Sequence, residues 1–188
     1  VEFPILSPRR APPAATPSPK REFRMPDTVD IPVPFDQYTE TVRPEWIDHN
    51  GHMNMAYYVL AFDEASGALM RYIGIDQPYR DRTGHGTFTG DFHIHYVQEV
   101  MEGDPLRFHQ RVIECDEKRV HYWLEMYHDE MGYLAAEAEA ITLHVDLSAR
   151  KVTPFPPEVQ ARVQSVYEAH KHLPLPANLG RQIKVKRR

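Results

Sequence analysis

Residues 55–73 run nineteen positions with one glycine and no proline. Ala56, Tyr57, Val59, Leu60, Phe62, Ala65, Ala68, Leu69 and Tyr72 recur at helical spacing and go most of the way round. The run therefore predicts a long helix, Met55–Ile73, buried on nearly all sides and stopped by Gly74. A helix of that kind cannot stand alone. It needs a sheet curled about it.

The rest of the pattern supplies the sheet. A strand is expected over Phe35–Val42, and four β-type runs follow the helix at Thr87–Val97, Leu106–Cys115, Val120–His128 and Leu134–Val145. The stretch Ala135-Ala136-Glu137-Ala138-Glu139-Ala140 has high helix propensity, but its alternation continues through Ile141, Leu143 and Val145. A period of two sustained that long favours a strand. A short amphipathic helix, Glu158–His170, ends the pattern. The fold class is α+β: a five-stranded antiparallel sheet wrapped around a long central helix, with an extra C-terminal helix. One such sheet leaves its outer face and edges poorly covered, which argues for a dimer or tetramer.

The chain of 188 residues fits one domain plus extensions. Residues 1–34 hold nine of the 17 prolines and read as an extended arm; 35–160 form the domain, and 161–188 the end of the helix and a basic tail. A net charge of −5 with no basic stripe gives no reason to expect nucleic acid as a partner. The single cysteine, Cys115, permits no internal disulfide and suits a cytoplasmic setting. No apolar run is long enough to span a membrane.

Chemistry concentrates in Asp48-His49-Asn50-Gly51-His52-Met53-Asn54, just ahead of the helix. A helix start presents unpaired N–H groups and the positive end of the dipole. Asp48 is able to attack or deprotonate, Gly51 allows a tight turn, and Asn54 is a helix cap. The plainer interpretation is a capped loop in which Asp48 and Asn50 only bond their own backbone.

Asp48-x-x-Gly51-His52-Met53-Asn54, the tyrosine pair Tyr57-Tyr58, and Phe62-Asp63-Glu64-Ala65 resemble the 4-hydroxybenzoyl-CoA thioesterase-like branch of the hotdog family. Ile94-His95-Tyr96-Val97, Glu102-Gly103-Asp104-Pro105-Leu106, His144-Val145-Asp146, Lys151 and Pro154 continue the likeness over about residues 35–160. The run Trp46-x-Asp48-x-Asn50-Gly51-His52-Met53-Asn54-x-Ala56-Tyr57-Tyr58 is similar to thioesterases that cleave betainyl-CoA in carnitine breakdown.

The resemblance implies hydrolysis of an acyl-CoA thioester by Asp48, as nucleophile or as general base, with no cofactor beyond the CoA of the substrate. It implies an oxyanion donor at the backbone N–H of Met55. It places Asn50, Gly51, His52, Asn54 and Tyr57 around the thioester, with Thr89, Asp91 and His93 reaching a site shared between subunits. Arg150 and Lys151 are candidates for the CoA phosphates. Two rival readings stand beside it. One is a non-catalytic acyl-CoA-binding hotdog protein. The other is a metal-binding β-barrel using His93, His95 and Glu99 on one strand face.

Overall fold

Alternation decides the centre of the molecule, and it does so at the segment where helix propensity pointed elsewhere. The computed structural model describes residues 30–185; most of the expected arm over 1–34, and residues 186–188 of the basic tail, lie outside them. The stretch Leu134–Asp146 is a strand, β5. Its even positions Ala136, Ala138 and Ala140 are buried on one face, and Glu137 and Glu139 point to the other. Alanine is a small side chain, so this face adds little bulk to the core.

The helix that shares this core is α1, Met55–Tyr72. Phe62, Ala65 and Leu69 are fully buried in the core it shares with the sheet. Before it comes the short strand β1, Thr39–Thr41; after it come a helix α2, Gln77–Thr83, and strands β2, His85–Tyr96, β3, Pro105–Cys115, and β4, Arg119–His128. A two-residue strand β6, Lys151–Val152, and a helix α3, Pro157–His170, follow β5. The strands pair antiparallel in the order β1-β3-β4-β5-β2, with β6 added to the end of β5 at Val145↔Val152. The long β2 is therefore an edge.

Several expectations change. The first strand contracts to β1 plus an isolated bridge, Phe35↔Gln110, because Asp36 and Gln37 between them are exposed and bond each other. The sheet has six strands rather than five. The helix α2 was not expected, although its signals are present: Asp76 caps it by accepting from the Tyr79 N–H at 2.8 Å, Pro78 lies in its first turn, and Gly84 closes it at φ 67°. The helix α3 runs as expected to His170 and buries Val159, Val163, Val166 and His170.

Nor is α1 buried on all sides. Met55 is 65% exposed, Val59 40% and Leu60 39%. These residues flank the open β2 edge, where Phe88 and Tyr96 are also exposed. The apolar excess that was read as all-round burial is thus a face without a partner in the single chain. No helix among the described residues is long and apolar enough to cross a membrane.

Two buried histidines lock the far sides of the sheet in their neutral form. His144 donates from Nδ1 to the Thr153 carbonyl (2.9 Å) and accepts the Tyr79 hydroxyl on Nε2 (2.7 Å). His170 donates from Nε2 to the Pro32 carbonyl (2.8 Å) and accepts the Val112 N–H on Nδ1 (3.0 Å). Burial holds both below the ordinary value of 6.5. The native state then binds fewer protons than the unfolded chain, so their contribution is intact above 6.5 and is lost as pH falls toward the folded values. The urea midpoint should drop between pH 7.5 and 5; a midpoint flat across that interval contradicts this account.

Candidate active site

The segment ahead of α1 is a small closed loop. Ile47 and Met53 form an antiparallel bridge, and the Asn54 N–H reaches the Trp46 carbonyl at 2.9 Å. Met53 is tied to the chain beyond β2 through its N–H to the Val100 carbonyl, 2.9 Å. Inside the loop Asp48 gives its N–H to the His52 carbonyl and receives the Gly51 N–H on its own carbonyl, both at 3.0 Å. Gly51 sits at φ 86°, and an added Cβ there would touch nothing within 4 Å. Backbone conformation, not crowding, requires the glycine.

Asp48 is half-buried. Its Oδ1 accepts the Asn50 N–H at 2.8 Å, which is the self-bonding turn of the plainer interpretation. Its second oxygen has no partner among the described residues. The loop thus orients a carboxylate through one oxygen and leaves the other free to react. His52 is held through Nδ1 by the Met53 carbonyl at 3.3 Å. Asn50 itself is exposed and contributes its backbone rather than its side chain.

At the start of α1, Asn54 accepts the Ala56 N–H on its side chain and the Tyr57 N–H on its carbonyl, each at 3.0 Å. The Met55 N–H has no acceptor among the described residues. A helix start with its second and third donors satisfied and its first free is a single aimed donor reinforced by the dipole. Tyr57 stacks on Trp46 at 5.7 Å and 15°, and the Arg43 guanidinium lies 4.9 Å from the same indole centroid. Trp46 is buried and already carries a cation, so these rings brace the loop. Tyr96, at the end of β2, donates its hydroxyl to the Met55 carbonyl at 3.2 Å and packs edge-on against Tyr58.

From this point a groove runs along α1 beside β2. A cavity of about 410 Å³ touches Val59, Leu60, Asp63, Thr89, Phe92 and Tyr122. A second of about 440 Å³ continues it toward α2, sharing Asp63, Ser66, Thr89 and Tyr122 and reaching Arg71 and Arg80. Tyr122 lies almost fully buried on the floor with its hydroxyl 3.2 Å from Thr142 Oγ1, and burial raises its pKa. Sequence reasoning did not single out Asp63, Phe92 or Tyr122 for this role. The one signal for Asp63 was a charged pair, Asp63-Glu64, in the middle of an apolar helix.

Within one chain Thr89 lines this groove, whereas Asp91 and His93 do not. The register of β2 against β5 shifts between Thr89 and Asp91. With Gly90 inserted, Thr87 and Thr89 face α1 and then Phe92 and Ile94 take over that face, while Asp91 and His93 turn outward. There they line a separate cavity with His121, Glu139 and Arg181. His95 also faces outward and pairs with Glu137 at 2.8 Å. Because β2 ends at Tyr96, Glu99 leaves the strand face, and no cluster of three His, Cys, Asp or Glu among the described residues is placed to hold a metal ion. Arg150 and Lys151 are exposed on the turn into β6, next to the start of β2. Asp48 lies by the other end of β2, roughly 35 Å away at about 3.3 Å per residue.

An antiparallel sheet packed on one long central helix is the hotdog arrangement. Residues 42–163 match the Thioesterase-like superfamily, and the chain belongs to that superfamily. It is 40% identical over 146 residues to the Betainyl-CoA thioesterase of Pseudomonas aeruginosa, covering 78% of this chain and 92% of that protein. It is 34% identical over 160 residues to the L-carnitine dehydrogenase/betainyl-CoA thioesterase of Rhizobium meliloti, covering 85% of this chain but 32% of that longer protein. Among solved structures, the Staphylococcus aureus protein SAV2348 in complex with CoA superposes with a TM-score of 0.76 at 25% identity, over 84% of this chain and all of that one. A putative thioesterase from Pseudomonas putida KT2440 gives 0.71 at 29% identity, over 82% and 98%. The protein is an enzyme of the thioester-hydrolase class.

Proposed function

We propose that this enzyme hydrolyses a small cationic acyl-CoA, betainyl-CoA first among them, to the free acid and CoA. The observation that carries the reading is the pairing of a half-free Asp48 carboxylate with the unclaimed Met55 N–H at the head of α1. Two relatives are named for betainyl-CoA, and one of them matches nearly over its full length. A single cysteine and a CoA ester substrate suit a cytoplasmic enzyme.

The chemistry needs only a carboxylate and water. In one route the free Asp48 oxygen attacks the thioester carbon, and the oxyanion that forms is held by the Met55 N–H. The C–S bond then breaks, CoA leaves as its thiolate, and water hydrolyses the mixed anhydride to restore Asp48. In the other route Asp48 takes a proton from water, whose oxygen ends in the acid product. Neither route calls for a metal or organic cofactor.

The site is built from two subunits in this reading. Pairing two β2 edges antiparallel about a twofold axis would cover Met55, Val59 and Leu60. It would also bring Arg150 and Lys151 of a second copy to the end of β2 where Asp48 lies, within reach of the CoA phosphates. Within one chain they are at the wrong end.

Asp48→Asn keeps the loop's shape but removes nucleophile and base. Thiol release from betainyl-CoA should fall by at least about a thousandfold with the fold intact, and activity within a fewfold of wild type would sink the assignment. Met55→Pro tests the donor itself. Proline is accepted at the first helical position, and Asn54 already has the extended conformation (φ −64°, ψ 142°) that a following proline demands. Helicity should survive while kcat falls by about a hundredfold or more; an unchanged kcat would move the oxyanion elsewhere. Sedimentation should give at least twice the chain mass, and a fully active monomer would exclude a shared site.

A further inference from the structure

The cavity that touches Ala56 at the start of α1 carries one charge in a mostly apolar lining. Val59, Leu60 and Phe92 make it apolar, Thr89 and Tyr122 add hydroxyls, and Asp63 is its one charged side chain. Asp63 makes no hydrogen bond or ion pair with any described residue. Asp63 is exposed where it borders this groove. A carboxylate beside apolar side chains and aromatic rings suits a quaternary ammonium, which has no hydrogen to donate and binds through charge and ring faces. A neutral acyl group gains nothing from Asp63.

The position of Asp63 sets a length. It lies eight residues after Met55, so about 12 Å along the helix at 1.5 Å per residue, less the lean of its side chain toward the N-terminus. A thioester carbonyl held at the Met55 N–H therefore leaves room for several atoms before the carboxylate is reached. We propose that Asp63 reads the charge of longer trimethylammonium acyl groups, several atoms beyond the thioester carbonyl, which the enzyme takes in addition to betainyl, whose charge lies too close to the carbonyl to meet it. The inference rests on the thioesterase reading for the position of the carbonyl.

The test uses two matched pairs of CoA esters. The short pair is betainyl and its neutral isostere 3,3-dimethylbutanoyl; the long pair is 4-(trimethylammonio)butanoyl and 5,5-dimethylhexanoyl. kcat/KM is measured on wild type and Asp63→Asn. Equilibrium binding of the same esters is measured on Asp48→Asn with and without Asp63→Asn, so the comparison stands without turnover. The preference for cation over isostere should fall at least tenfold on losing Asp63 in the long pair, and by less in the short pair. A preference unchanged within twofold in both pairs overturns the role of Asp63. An effect confined to the short pair overturns the length. Wild-type protein that releases thiol from none of the four overturns the thioesterase reading instead, while the binding ratio still judges Asp63.

Discussion

The packing of α1 on the sheet sets the position of everything that follows. It is tied to β3, where the Gln110 side chain donates to the Ala65 carbonyl at 2.8 Å, and Phe62, Ala65 and Leu69 complete the interior. A larger residue at the buried alanines Ala136, Ala138 or Ala140 would force strained rotamers in the same core. With the helix so placed, its N-terminus meets the end of β2, where Tyr96 bonds the Met55 carbonyl and Val100 anchors Met53. The reactive loop is then held at both ends, by the bridge between Ile47 and Met53 and by the cap at Asn54. Its precision comes from packing some distance away.

The same contact leaves the other flank of α1 open. β2 borders it as an edge strand, with apolar side chains on strand and helix exposed together. A bare apolar face of this kind is the surface that the proposed dimer would cover. The groove with Asp63 runs along the same seam, so in the proposed reading recognition of the acyl group and association of subunits would draw on one surface.

Most of the architecture was legible because it follows from two periods. The long apolar helix and the four strands after it lie within two residues of their expected bounds, and the loop motif located Asp48, Gly51 and Asn54 with their geometry. What was not legible depends on single residues that break a period. An unbroken alternation would carry Thr89, Asp91 and His93 on one face, and the bulge at Gly90 sends the last two to the other. The rival metal reading needed Glu99 beside His93 and His95, but the strand stops before reaching it. The short α2 was hidden because seven residues give too little periodicity, although its cap and stop signals were in place. Apolar content alone does not distinguish burial inside the chain from burial against another, which is why Val59 and Leu60 were placed in the interior.

One helix borders both proposed sites, and they lie two turns apart. The unclaimed Met55 N–H is at its first residue and Asp63 at its ninth, joined by a rigid rod rather than by a loop. In the proposed roles, changes in the residues around Asp63 would alter what is accepted without retuning how the bond is broken. Such a chain would be free to wander among related substrates while its reactive head stayed the same. For a designer, the third turn of α1 and the facing stretch of β2 would then form a replaceable module behind a fixed reaction centre.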